Sequence, residues 1–486
     1  MITNIGHIIG YMLIILGISE LVPILAALTF GENHLVLPFF ICAMLTIFVG
    51  TGFYLAFSYK HEKPSRFDII SFLILVWTII PVFASIPFMV TGVLTKFTNA
   101  YFEAVSAFTT SGATMLANTA LAPKAILFWR SFLQWQGGIF IFVLAISIIP
   151  LSSIGGSELF KSTLVHREQE GFLERLKSTL KNLALIYAGL TLVCVILLAI
   201  SGMTTFDSLT TAMATLSSGG FTNHANSGVN SLNFRSEIIL IPFMIIAATN
   251  LTYHWSFLTS GKLRLYKDDY ELRYFLIIIL IASMVIFLTL INSNTGPDAS
   301  LIGKLGLAIF TAVSALSTTG FLPDGASAMP VSTVVVCIIL LFIGGSMGSS
   351  AGGFKIMRLK VLLRHADIEI SRLAHPHGVV PMRVNNMTVT DTILMSVWTL
   401  FFLYLSSIAF FSLIYGILGY DVGIAIGLTV VNLFSAGSMT ELIAQDFIGY
   451  SSMSYPAKWL SSAIMIIGRL EIMPLLIFLS PDFRKS

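Results

Sequence analysis

Phe108-Thr109-Thr110-Ser111-Gly112 returns three times along the chain in degraded form, and this repetition restricts the possible folds more than any other feature. The later copies are Leu216-Ser217-Ser218-Gly219-Gly220, Leu316-Ser317-Thr318-Thr319-Gly320 and, weakest, Leu433-Phe434-Ser435-Ala436-Gly437. Each follows a short, mildly apolar segment of helical character, at residues 99–107, 206–215, 305–315 and 422–432. A long apolar run lies before and after every copy. Four such units in one polypeptide can set four backbone turns around one axis. Carbonyl oxygens arranged in that way replace the water shell of a partly dehydrated cation. Glycine suits the turns because it takes backbone angles that other residues resist.

The medium in which this repeat folds follows from composition. The 486 residues are 56% hydrophobic and only 10% charged, against about 25% charged in soluble domains. A membrane span needs about 20 apolar residues, and at least ten such runs are visible. The net charge of +3 is small, but the positions of the basic residues are informative. Of the 27 Lys and Arg, 20 fall in five segments: residues 60–66 (three), 161–181 (five), 262–273 (four), 355–383 (six) and 484–485 (two). By the positive-inside rule these segments face the cytoplasm. All four turns then lie on the opposite side, and both termini are cytoplasmic. Because the basic residues flank apolar spans, a nucleic-acid partner is excluded. Cys42, Cys194 and Cys337 sit inside apolar runs without metal spacing or a disulfide pattern. No cleavable leader is evident.

Residues 8–30 and 37–58 read as two spans outside the fourfold pattern. The chain therefore divides into a two-helix addition at 1–66 and pore units at 67–181, 182–270, 271–385 and 386–486. The full spans of the units read as 69–90, 126–150, 183–201, 238–258, 275–291, 332–363, 392–418 and 459–479. Residues 157–180 form a charged amphipathic connector. Asn250 and His254 share one helix face and bond between helices. The span at 332–363 is broken by a run from Gly344 to Gly353. Such a run interrupts a helix, since each Gly costs about 1 kcal/mol relative to Ala, and irregular backbone at membrane depth survives only in protein or against a water-filled cavity. We read it as a gate below the turns, built on Gly344, Gly345, Gly348, Gly352 and Gly353. The basic stretch 355–383 is available to a soluble partner; its His375-Pro376-His377 reads as loop rather than metal site. Arg469 and Glu471 lie in an apolar span, yet i and i+2 point apart on a helix. Arg469 is therefore assigned to the polar interior beside the permeation path. Glu103, Asp207, Asp324, Glu441 and Asp446 are expected to give the outer mouth a negative potential.

These motifs resemble the Trk/Ktr/HKT superfamily of potassium uptake proteins, most closely its TrkH/TrkG branch. The resemblance runs over the whole chain and is carried by residues 108–114, Trp135-Gln136-Gly137-Gly138, Gly219-Gly220-Phe221, Thr319-Gly320-Phe321, the glycine run at 344–353 and Gly468-Arg469-Leu470-Glu471. It implies an all-α integral membrane fold of two N-terminal helices plus four fused helix–pore-helix–helix units around one pseudo-fourfold pore. It implies potassium as substrate, with no cofactor and no catalytic residues, held by Thr109, Thr110, Ser111 and Gly112; Ser217, Ser218, Gly219 and Gly220; Ser317, Thr318, Thr319 and Gly320; and Phe434, Ser435, Ala436 and Gly437. It further implies a homodimer in the bacterial inner membrane, controlled by a cytosolic TrkA-like nucleotide-binding protein, with the third-unit loop as gate and Arg469 as a positive barrier. The fourth turn departs from the Gly-Pro-Gly pattern of the branch. Its register is open by one residue, and a non-selective or sodium-permeable path is the alternative. Two further readings compete. One is an inverted-repeat transporter with broken helices. The other is a serine hydrolase, because Gly344-Gly345-Ser346-Met347-Gly348 fits G-x-S-x-G; that elbow, however, needs a strand before the serine.

Overall fold

The computed structural model describes residues 2–57, 66–147, 172–223, 234–251, 253–254, 257, 269–291, 300–323, 329–375, 381–384 and 387–472. Those residues are helical throughout, apart from turns and one pair of two-residue antiparallel strands, Arg383–Val384 and Met387–Thr388. Six helical stretches are long and apolar enough to cross a membrane: Ile5–Thr29, Asn33–Ala56, Asp68–Val90, Leu183–Ile200, Tyr270–Ile291 and Asp391–Ile417. Six of the expected spans meet that length and apolarity among the described residues. The returning helix Lys124–Ser147 carries Arg130 and Gln134, while Phe234–Ala248, Val331–Ile343 and Tyr455–Arg469 are shorter.

The leading pair packs as a hairpin. Gly10 and Gly50 bring its two helices to backbone contact, so that a Cβ on Gly50 would lie 3.0 Å from the Gly10 carbonyl oxygen. Small residues are what permit such approaches where lipid supplies no hydrophobic drive. The hairpin packs on the span Arg66–Ala84 and on the returning helix Lys124–Ser147.

Four half-length helices carry the organisation of the rest: Phe97–Phe108, Thr205–Leu216, Leu301–Leu316 and Val422–Leu433. Their polar starts explain their boundaries. Thr204 accepts from the Asp207 N–H at 3.1 Å and Ser300 from the Gly303 N–H at 3.1 Å, each satisfying one orphan donor of the first turn. Each half-helix packs between an incoming and a returning helix of its own unit, and its C-terminal half is buried. Two expected spans are interrupted. Phe234–Ala248 breaks at Thr249 and Asn250, and helical residues resume at Leu251, Tyr253, His254 and Phe257. Tyr455–Arg469 begins earlier than expected, with Pro456 in its first turn, and stops where Glu471 and Ile472 take φ of 56° and 58°. Most of the connector 157–180, the second His of His375-Pro376-His377 and Asp324 lie outside the described residues.

Candidate functional site

All four half-helices end in the same backbone device. The residue after the C-cap is left-handed in each: Thr110 (φ 53°), Ser218 (53°), Thr318 (52°) and Ser435 (56°). Reaching back, the N–H groups of Ser111, Gly219 and Ala436 bond the carbonyls of Ser106, Ala214 and Val431 at 2.8, 2.9 and 2.7 Å. These are six-to-one closures of the Schellman type, which usually place glycine at the left-handed position. A non-glycine residue there costs about 1–2 kcal/mol, so four hydroxyl residues in that conformation mark a site where strain is tolerated for another purpose. The coincidence also fixes the fourth register. Phe434, Ser435, Ala436 and Gly437 correspond to Thr109, Thr110, Ser111 and Gly112.

The turns close on one another around the axis. A Cβ on Gly112 would overlap the Gly219 carbonyl oxygen, and one on Gly220 would overlap that of Thr319. A Cβ on Gly437 would lie 2.9 Å from the Ala113 nitrogen. Glycine at 112 and 220, with φ of 79° and 69°, is thus required twice over, by conformation and by space. The C-terminal end of every half-helix points at the turns, and such ends carry about half a negative charge.

Within each turn the hydroxyls divide their work. Thr109 and Ser217 donate to helix carbonyls, Val105 at 2.7 Å and Met213 at 2.9 Å, and Ser317 pairs with Thr319 at 2.8 Å. These brace the turn. Two of the left-handed hydroxyls instead meet the glycine–serine loop beneath. Ser218 Oγ pairs with Ser350 Oγ at 2.7 Å, and the Gly352 N–H donates to Thr318 Oγ1 at 2.8 Å. Thr110 Oγ1 accepts from Arg469 Nη2.

Arg469 joins the first turn to the loop. Its Nε donates to the Thr109 carbonyl at 2.5 Å and its Nη1 to the Ser350 carbonyl at 2.9 Å. Glu471, left-handed just past the helix end, pairs with Arg358 at 2.5 Å. The fourth turn is touched as well, since a Cβ on Gly352 would overlap the Phe434 carbonyl. The loop therefore contacts units two, three and four directly below the turns, and reaches unit one through Arg469. It is anchored in unit two, where the Ser346 and Ser350 N–H groups donate to the carbonyls of Ala248 and Ala247 at 2.9 and 3.3 Å. Those are terminal carbonyls of a helix that ends there, groups that need partners from outside the helix. Gly344, Gly348 and Gly353 take φ of 69°, 78° and 88°, and Gly345 packs so close to Ala248 that a Cβ would lie 2.7 Å from its carbonyl oxygen.

Beyond the loop runs the amphipathic helix Ile356–Ala374. Lys360 on it lies 4.7 Å from the ring centres of both Tyr270 and Tyr274, and burial lowers its ammonium pKa from the ordinary value.

Removing the Ser350 hydroxyl should loosen the loop without unfolding the protein, because it loses bonds to Ser218 Oγ and to the Ala247 carbonyl at 3.0 Å. Each such bond is worth about 1 kcal/mol. For Ser350→Ala, hydrogen exchange at 344–353 is expected to accelerate roughly tenfold or more while helix cores stay protected. Unchanged exchange in that segment would refute the latch.

Several expected residues stand differently. Glu103 does not line an outer mouth: it is fully buried, 3.6 Å from Arg130, and accepts from Thr114 Oγ1 at 3.0 Å and the Met115 N–H at 2.6 Å. It braces the chain leaving turn one. Asp207 is held by Thr204 at 2.7 Å and Asn223 at 2.9 Å, whereas Asp446 is exposed. His254 bonds Thr249 Oγ1 at 2.9 Å, within its own segment. Ser346 follows a helix rather than a strand, so it lacks the elbow. Among the described residues no group of three His, Cys, Asp or Glu is placed to hold a metal; the oxygen donors of the site are backbone carbonyls and hydroxyls.

The family model for TrkH, described as a cation transport protein, matches residues 37–484. The chain belongs to the TrkH family. It is 32% identical, over 99% of both chains, to the Trk system potassium uptake protein TrkH of Vibrio parahaemolyticus. It is 30% identical to the Trk system potassium uptake protein TrkG of Escherichia coli K12, over 99% of this chain and 98% of that one. The crystal structure of the potassium transporter TrkH from Vibrio parahaemolyticus superposes with a TM-score of 0.90 at 31% identity, covering 99% of each chain. With the TrkH fold come two leading helices and four fused helix–pore-helix–helix units around one pseudo-fourfold pore, in a multi-pass membrane protein. The inverted-repeat alternative is overturned by that match.

Proposed function

We propose that this chain carries potassium across the bacterial inner membrane through a filter made of the four turns 109–112, 217–220, 317–320 and 434–437. The observation that carries the reading is the recurrence of one strained device. Four hydroxyl residues sit at φ of 52–56° after four helix ends, in turns that touch one another in sequence. Oxygen-rich backbone gathered at four negative helix ends favours a cation that has shed water. Potassium is the substrate in the names of the TrkH and TrkG relatives.

The units divide at 67–181, 182–270, 271–385 and 386–486, after a leading pair at 1–66. Loop 344–353 is the gate, and Arg469 is its positive latch. The chain works as a homodimer with both termini in the cytoplasm, where a TrkA-like nucleotide-binding protein acts on the basic helix following the loop. Membrane potential, about 2.3 kcal/mol per charge per 100 mV, drives uptake without chemistry in this chain.

The test is rubidium-86 uptake into sealed vesicles bearing the full chain, with and without the regulator and its nucleotide. Excess potassium should suppress uptake, and equal sodium should not. Equal suppression by sodium would support the non-selective reading, which the absence of a left-handed glycine in the fourth turn favours. No rubidium flux under any condition would overturn the pore.

A further inference from the structure

The fourth turn breaks the symmetry of the other three just beyond its left-handed residue. Gly112, Gly220 and Gly320 all have positive φ, whereas Gly437 opens a short 3-10 helix through Met439. Ser438 is consequently turned toward the axis. Its Cβ would lie 3.2 Å from a Cβ on Gly112, 3.0 Å from one on Gly220 and 3.3 Å from one on Gly320. A single side chain nearly equidistant from the same position in three different turns stands at their common centre.

The neighbours of the three glycines show what its hydroxyl replaces. Gly112 is seated against the Gly219 carbonyl oxygen and Gly220 against that of Thr319. By the same rule Gly320 should be seated against the Ala436 carbonyl. The nearest oxygen to it is instead Ser438 Oγ. That hydroxyl donates to the Thr319 carbonyl at 3.3 Å, and among the described residues no proton donor meets its lone pairs. Its backbone is firmly held: Thr440 Oγ1 donates to the Gly437 carbonyl at 2.5 Å, and Tyr450 beside it donates to Asn432 Oδ1 at 3.0 Å.

We propose that Ser438 is a specificity-determining residue of the filter, its hydroxyl oxygen supplying a ligand to the permeating cation where the fourth backbone carbonyl is displaced. The inference rests on the reading of the four turns as a cation filter. A hydroxyl on one rotatable bond adapts its reach to the ion more readily than a carbonyl fixed in a turn. Ser438 therefore sets both the affinity of that level of the filter and its tolerance for ion size.

The experiment measures thermal stabilisation of the purified full-length chain by potassium or sodium in a choline background. It compares the wild type with Ser438→Thr and Ser438→Val, two side chains of nearly equal shape that differ in the hydroxyl. Ser438→Thr should keep the wild-type potassium response, while Ser438→Val should need roughly tenfold more potassium, the scale of losing one polar contact to a charge. Its ratio of potassium to sodium response should also change. Threonine and valine variants that respond alike, with the wild type still stabilised by potassium over sodium, would overturn the role of Ser438 and leave the filter intact. A wild type that potassium stabilises no more than choline does would overturn the filter and this inference together.

Discussion

Replacing Arg469 by glutamine is expected to raise rubidium influx by about two orders of magnitude in vesicles that lack the proposed cytosolic regulator. The guanidinium binds the Thr109 carbonyl and the Thr110 hydroxyl above and the Ser350 carbonyl below, so it both closes the loop against the first turn and places a positive charge under the pore. A unit charge about 6 Å from a passing cation, at an effective dielectric constant near 20, repels it by about 3 kcal/mol, or roughly 100-fold in rate. Glutamine retains two N–H donors, so the carbonyls are not both abandoned, but it removes the charge. Influx should rise, and it should no longer depend on regulator or nucleotide. Influx that stays at the wild-type level, in a variant with unchanged melting temperature, would show that Arg469 is only a structural tie.

That residue also shows how unevenly the sequence discloses the site. Arg469 announces itself because a charge in an apolar span must find polar company, and on a continuous helix the i, i+2 offset makes Glu471 a poor partner. What it binds was not legible, since the Thr109 carbonyl and Ser350 come from units one and three. The half-helices were legible to within a few residues because apolar pattern and turn chemistry change together at their ends. The third half-helix starts at Leu301 rather than the expected 305 because Ser300 caps it against Gly303. The left-handed residues were hidden for a physical reason. Sequence reasoning expects glycine at positive φ, and here Thr110, Ser218, Thr318 and Ser435 occupy it, so attention goes to the glycine two positions later.

Glu103 misled in the opposite direction. An acidic residue near an extracellular turn suggests a surface field, yet its charge is matched by Arg130 from the returning helix, inside the protein. Only the packing of two helices reveals that pairing. Ser438 was invisible for a related reason: a serine after a glycine is unremarkable until three other turns converge on it. Local periodicity reads the elements. The ring is a property of four distant segments at once, and its asymmetry at the fourth turn belongs to the assembled fold.

Gly112→Ser is expected to abolish the discrimination between potassium and sodium and to cut rubidium flux at least tenfold. Two costs coincide at this position. The backbone is left-handed at φ 79°, which costs a non-glycine residue about 1–2 kcal/mol, and the new Cβ would overlap the Gly219 carbonyl oxygen. That oxygen has no easy retreat, because Gln134 Nε2 holds it at 2.8 Å from behind. The strain is therefore relieved by moving one of the two turns, and the cation loses the spacing of its oxygens rather than one ligand. Gly189→Ala is the control: its Cβ would meet nothing within 4 Å, and alanine in a helix gains up to about 1 kcal/mol over glycine, so flux and selectivity should match the wild type. The measurement is rubidium-86 uptake with potassium or sodium as competitor, with melting temperature recorded for each variant. A Gly112→Ser protein that transports and discriminates like the wild type would show that position 112 lies outside the ion path. A selective loss, set against an unaffected Gly189→Ala, ties the passage of the ion to the contact between turns one and two.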